Sequence, residues 1–382
     1  MMKKLIGIFI GLVLLSGCSL IKEEMQAPVT NEVVAQERDD IEEISFSAVG
    51  DNLIHGAIYY YNDKGNGHYD FKDIYEHTNY LTQASDIAYI NQETICGGTQ
   101  LGLSTYPSFN GPYEVLDAIS SAGFDWMAAS SNHTMDAGTQ GIINQLTYMK
   151  QHYPDIKITG SHANQEDAST LQYIERKGVK FGILGYTYGL NGYTLPQDKA
   201  FMIDVIDKEK IKKDMEALNK GSDVQLVSMH WGDEYSHIPS KEQKELAQYL
   251  SDLGADVIIG EHPHVIQPMD HITGEKGNHT LVIYSLGNFL SAQDEPDRML
   301  GGMAKWKIAY NKTTKDVELK DVEFWPTITH IEKDFSFYRT YVLKDYNNDL
   351  ATKHVLSSKN MTKEYFINKV QEVMNDKVKI VY

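Results

Sequence analysis

Two histidines separated by a proline, His262-Pro263-His264, follow the apolar run Asp256-Val257-Ile258-Ile259 and the pair Gly260-Glu261. A run of that kind reads as a buried strand, and proline stiffens the turn that carries the two imidazoles. Imidazoles so placed can reach two neighbouring metal ions, or two positions around one. Four other apolar runs end in the same way. Residues 44–49 lead to Gly50-Asp51-Asn52, with His55 four positions after Asp51, and residues 86–90 lead to Asn91-Gln92-Glu93. Residues 124–129 lead to Ser130-Ser131-Asn132-His133 with Asp136 beyond, and residues 224–229 lead to His230-Trp231-Gly232. In open α/β sheets chemistry gathers at the carboxyl ends of the strands. Asp, Glu, Asn and His without thiolate suit a borderline-to-hard divalent ion such as Mn²⁺, Fe²⁺ or Zn²⁺. Singly, each residue has an ordinary explanation, an Asp as a helix cap or a His as a satisfied hydrogen-bonding group. Five such strand ends in one chain favour a metal site.

The elements that must position these residues alternate strand with helix, the mark of a layered α/β domain. Ser240-Lys241-Glu242-Gln243 is a capping box, after which Leu246, Leu250 and Leu253 share one face before Gly254 ends the helix. Ile211, Met215 and Leu218 form a second stripe, closed by Gly221. The first helix leads into residues 256–260 and the second into 224–230, so each delivers a ligand-bearing strand. Residues 303–324, with a turn at Asn311-Lys312, predict a β-hairpin closing a sheet, and a last helix is expected near 363–374. A chain of 382 residues, 42% hydrophobic, can bury one large core and carry an appendage.

The net charge is −18, from 35 basic and 53 acidic residues. That balance argues against nucleic acid, whose phosphates need a basic face. It would also repel an acidic polymer unless metal ions or a local basic rim offset it. Lys3-Lys4, an apolar run over 5–15 and Ser16-Gly17-Cys18 form a signal peptide, expected over 1–17; a spanning helix needs about 20 apolar residues. The Leu15-Ser16-Gly17-Cys18 ending looks like a bacterial lipobox, which would make Cys18 the lipidated first residue of the mature chain. The other reading is an uncleaved anchor helix. Either one places the protein at the cell membrane, on its extracytoplasmic face. Residues 18–42 are polar and acidic and read as a flexible tether. Cys96, just after Glu93, reads as a buried spectator thiol, with no intramolecular disulfide to make. A phosphate-binding Gly-rich loop, Gly-x-Gly-x-x-Gly and Gly-x-Ser-x-Gly are all missing, which removes support for kinase, dinucleotide and serine-hydrolase readings.

The segments 48–51, 91–93, 131–138, 230–235, 262–267 and 284–289 resemble the calcineurin-like metallophosphoesterase pattern. They resemble more closely its CapA (PgsA) branch, the capsule-synthesis family of poly-γ-glutamate producers. The resemblance implies a four-layer α/β/β/α sandwich, two mixed sheets flanked by helices, over residues 43–326. Residues 327–382 would then be a small C-terminal extension packed on that domain. It also implies two divalent metal ions held by Asp51, Glu93, Asn132, His230, His262 and His264, with Glu93 as the bridge. His133 would stand beside the metals to stabilise or protonate a leaving group, oriented by Asp136, unless Asp136 caps the next helix. The chain departs from the wider pattern in two places: His55 stands four residues from Asp51 in place of Asp-x-His, and Glu93 stands where an Asp is usual. Asn91 is a further candidate; Asn288 either faces the cleft or serves a turn, and Glu234 and Tyr235 either contact substrate or fix their loop. Tyr59-Tyr60-Tyr61 reads as packing or rim.

Two functions fit. One is a metal-dependent hydrolase acting on an envelope phosphoester or on poly-γ-glutamate or a related anionic polymer. The other is a non-enzymatic accessory lipoprotein that binds the polymer and supports a membrane synthase and export complex. A solute-binding lipoprotein would need two similar lobes, whereas the sequence shows one ligand-rich domain.

Overall fold

The computed structural model describes residues 40–374, 376 and 378–382. The expected signal peptide, Cys18 and the tether through residue 39 lie outside the described residues. Strand Ile41–Asn52 begins two residues inside the stretch expected to be tether, and it forms the middle of a nine-stranded mixed sheet. It runs parallel to Ile87–Gln92 on one side and antiparallel to Leu300–Asn311 on the other. Trp126–Ala128 and Lys157–Thr159 extend the parallel side.

A six-stranded sheet holds Val179–Thr187, Val224–His230, Val257–Glu261 and His279–Ile283 in parallel, with antiparallel edges Gln172–Arg176 and Met269–Thr273. Parallel strands covered on both faces must be apolar throughout, and all of Val224–His230 is buried. The two sheets meet through pairs such as Phe46 and Phe181, edge to face with centroids 5.2 Å apart.

Helices cover the outer faces. Ile211, Met215 and Leu218 of Lys208–Gly221 and Leu246 and Leu250 of Lys241–Asp252 pack on Val227, Met229, Ile258 and Val282 of the smaller sheet. Ser240 caps the second of these helices and Gln243 returns the bond, the capping box that the sequence predicts. On the larger sheet, Val115, Leu116 and Ile119 of Glu114–Ser121 and Met149 of Gly138–His152 share a core with Ile87 and Met127. Two mixed sheets between helical layers are thus the architecture expected.

The boundary expected at residue 326 falls inside a strand. Val317–Ile331 pairs with Leu300–Asn311 as the predicted hairpin, and beyond Pro326 it also pairs with Tyr338–Val342. Pro326 lies opposite Gly302, and its carbonyl accepts a 2.7 Å bond from the Leu343 N–H. The missing proline N–H therefore costs one ladder bond without ending the strand. Beyond Pro326, residues 327–331, Tyr338–Val342 and Lys379–Ile380 extend the larger sheet, and Phe366 and Val370 of Lys363–Val373 join the main core.

Candidate metal centre

Register brings the first group of side chains together. Asp51 lies opposite Asn91 of one neighbouring strand and opposite Asn288 of another, Asn288–Leu290. That second approach requires glycine at position 50, since a Cβ there would stand 2.0 Å from the Gly287 carbonyl oxygen. Both Asp51 oxygens are then occupied. Oδ1 accepts from Asn91 Nδ2 at 2.8 Å and from the His262 N–H at 3.2 Å, and Oδ2 accepts from His264 Nδ1 at 3.1 Å.

The His-Pro-His turn supplies the second group. His230 ends its strand opposite Glu261, so the turn opens directly beside it. His262 and His264 hold φ of 94° and 59°, a left-handed backbone that costs a non-glycine residue of order 1–3 kcal/mol. Such strain persists where the surroundings fix it, and here Asp51 accepts the His262 N–H while Asp51 and Asn288 hold the His264 ring. His264 Nδ1 also meets Asn288 Oδ1 at 3.0 Å, which turns Nε2 toward Glu93 Oε1 at 3.5 Å. His230 Nε2 lies 2.9 Å from Asn132 Oδ1 and 3.8 Å from the same Glu93 oxygen.

Two buried triads result, Glu93–His230–His262 and Asp51–Glu93–His264, each with ligand atoms within 4.8 Å of one another. Glu93 belongs to both. A third triad adds Glu234, an exposed side chain, to His262 and His264. Among the described residues neither Glu93 oxygen has a hydrogen-bond partner, nor does Nδ1 of His262. Burial pushes the Glu93 carboxyl well above its ordinary range, and the attraction of His264 only partly opposes this. Burial also works against charge on His264, but Glu93 and Asp51 outweigh it and raise that imidazole to about 9. Burial and the neighbouring His264 lower His262 to about 3, and burial drives His230 well below its usual range. A buried carboxylate without donors is costly unless a cation compensates it, and His230 and His262 are held in the neutral form that ligates. The buried His, Glu and Asp cluster is consistent with a metal site.

His133 Nδ1 meets Asp136 Oδ2 at 2.7 Å, and that oxygen also accepts the Phe109 N–H at 2.8 Å. Asp136 does not cap Gly138–His152, whose N-cap is Ala137 without a side-chain bond. His55 joins none of these triads. Its Nδ1 lies between the Leu53 carbonyl at 3.1 Å and the Ala292 N–H at 3.2 Å, and burial lowers its pKa to about 4. Asn91 and Asn288 hold Asp51 and His264 in place. A cleft of about 510 Å³ opens beside the centre, lined by His55, Phe109, His133, Glu234, His264 and Arg298 among others.

Some neighbours escaped the sequence reading. Tyr188 covers His262 with ring centroids 4.6 Å apart, and Asn191 accepts from Asn132 Nδ2 at 3.2 Å. Glu261 is wholly buried beneath the turn and takes a bond from the Tyr89 hydroxyl. A carboxylate between strand and His-Pro-His was the one available signal among these. Cys96 is buried, and burial raises its thiol, as expected of a spectator.

Residues 45–293 match the family model described as bacterial capsule synthesis protein PGA_cap. The chain belongs to that family. It is 32% identical over 191 residues to the PGA biosynthesis protein CapA of Bacillus subtilis (strain 168), covering 47% of this chain and 46% of that one. It is also 32% identical over 185 residues to the capsule biosynthesis protein CapA of Bacillus anthracis, covering 47% and 43%. The match thus spans less than half the length of either relative. Among solved structures, the Haemophilus influenzae NAD nucleotidase NadN superposes over 90% of this chain and 57% of its own, with TM-score 0.46 and 12% identity. A 5'-nucleotidase precursor from Thermus thermophilus superposes over 87% and 59%, with TM-score 0.45 and 13% identity.

Proposed function

We propose that this chain is a membrane-tethered, metal-dependent hydrolase of capsule biosynthesis, acting on poly-γ-glutamate or a related anionic envelope polymer. The observation that carries this reading is Glu93, buried with both oxygens lacking hydrogen-bond donors and shared by two ligand triads. Asp51, Glu93, Asn132, His230, His262 and His264 would hold two divalent ions, with Mn, Fe or Zn suited to that donor set. Such a pair, when bound, supplies hydroxide near neutral pH and polarises the oxygen of an amide or phosphoester.

The chain's own residues do the rest. Asp136 accepts from His133 Nδ1, fixing the ring and leaving Nε2 as the nitrogen that can carry a proton to a leaving group. His133 lines the cleft, where that proton is needed. Asn91 and Asn288 hold Asp51 and His264 against rotation. Tyr188 packs its ring against that of His262. Lipidation at Cys18 would keep the domain beside a membrane synthase complex, where the polymer emerges.

The test is to incubate metal-loaded protein with poly-γ-glutamate and with a phosphoester panel, scoring chain shortening and phosphate release. Turnover that disappears in His133→Ala, with metal content retained, supports the reading. Binding of the polymer without turnover on any substrate would replace it with the accessory-lipoprotein function.

A further inference from the structure

The cleft beside the metal centre holds one arginine among the described residues. Arg298, on the short helix Pro296–Met299, lies with its guanidinium carbon 3.7 Å from the centroid of the Tyr235 ring. Its ion pair is loose: Nη1 stands 3.7 Å from an oxygen of Asp294, a side chain 76% exposed. Exposed pairs of that kind contribute little, so the fork of donors is open to a ligand. Tyr235 in turn stands 6.1 Å from the His264 ring, and Gln293 Nε2 approaches its hydroxyl at 3.5 Å.

Asn288 ties this arginine to the ligands. Its Oδ1 meets His264 Nδ1 at 3.0 Å, while its Nδ2 donates to the Arg298 carbonyl and to Gln293 Oε1, each at 2.9 Å. One side chain therefore sets both the orientation of a candidate metal ligand and the backbone position of the arginine. A guanidinium held flat on an aromatic ring at a fixed offset from a reaction centre suits bidentate recognition of an oxyanion. The rest of the cleft limits which one. Glu234 and Asp294 line the same space, so a dianionic phosphate meets two like charges against one arginine, while a carboxylate carries a single charge.

We infer that Arg298, stacked on Tyr235, is a specificity residue that binds a carboxylate of the ligand next to the bond presented to the metal centre. This rests on the hydrolase reading for the identity of that bond, but the binding itself needs no turnover. The probe is a γ-glutamyl hexamer with free α-carboxylates, compared with the same hexamer as its α-carboxamide and with the same hexamer carrying dianionic phosphonates in place of the carboxylates. Binding to the full chain is measured by calorimetry for wild type, Arg298→Gln and Arg298→Lys, with metal content determined on each sample.

Wild type should bind the carboxylate hexamer at least about tenfold more tightly than the carboxamide. Arg298→Gln should erase that difference at unchanged metal content, and Arg298→Lys should restore part of it. Equal binding of carboxylate and carboxamide by wild type, or a preference untouched by Arg298→Gln, overturns the inference. So does tighter binding of the phosphonate hexamer that depends on Arg298. Failure of the hydrolase reading looks different: the carboxylate preference persists and depends on Arg298, with no metal bound.

Discussion

Glu93 faces His264 across 3.5 Å, Oε1 to Nε2, with no hydrogen-bond donor among the described residues on either of its oxygens. A scaffold gains nothing by burying a carboxylate in that state. Replacing Glu93 with Gln removes the charge at nearly constant shape, so the binding of divalent ions should weaken steeply. Chelation should lower the melting temperature of the wild type by several degrees, since a ligand at a hundred times its Kd adds about 2.7 kcal/mol. The Glu93→Gln protein should melt at nearly the same temperature with and without chelator, as read by scanning calorimetry.

The His133–Asp136 pair predicts a graded loss of activity. His133→Ala should lower kcat by about a hundredfold or more, the usual contribution of a positioned acid or base. Asp136→Asn keeps an acceptor for the Phe109 N–H but weakens the hold on the ring, so its loss should be smaller. Metal content should be unchanged in both, which separates proton transfer from ligation.

Much of this centre was legible because ligand types stood at the ends of apolar runs, a one-dimensional pattern. Asp51, Asn132, His230, His262 and His264 follow or end strands whose apolar runs could be read, so the fold had to collect them at one edge. Arg298 was not legible, since a helix of four residues carries no period and its partner Tyr235 lies 63 positions earlier. Asn191 and Tyr188 come from a loop whose path depends on tertiary packing alone. The end of the domain was misplaced because proline usually marks the end of a strand, whereas Pro326 lies within one.

Gly50 should tolerate no side chain. Gly50→Ala sets a methyl against the Gly287 carbonyl, which cannot retreat without moving Asn288 and hence His264. Denaturant unfolding should show a loss of about 3 kcal/mol or more, at the upper end for an overpacked core. Metal binding should fall with it.

Stability should decline on mild acidification, through a histidine outside the cluster. His354 is fully buried, with Nε2 3.1 Å from the Thr329 carbonyl and Nδ1 accepting the Leu356 N–H at 2.9 Å. Burial, with help from nearby His330, lowers its pKa to about 4. Between that value and about 6.5 the unfolded chain binds more protons, so stability rises with pH. The contribution is complete above about 6.5 and is lost as pH falls toward 4, at up to about 1.4 kcal/mol per unit. Urea midpoints at pH 7.5 and 5.0 should differ less in His354→Leu than in the wild type.

The metal centre itself is tested most directly by metal content. The domain from residue 41, prepared under metal-replete conditions, would be analysed by mass spectrometry beside His262→Ala/His264→Ala. Near two equivalents of a transition metal in the wild type, lost in the double variant, is the predicted result. A well-folded wild-type domain that binds no metal would contradict the account.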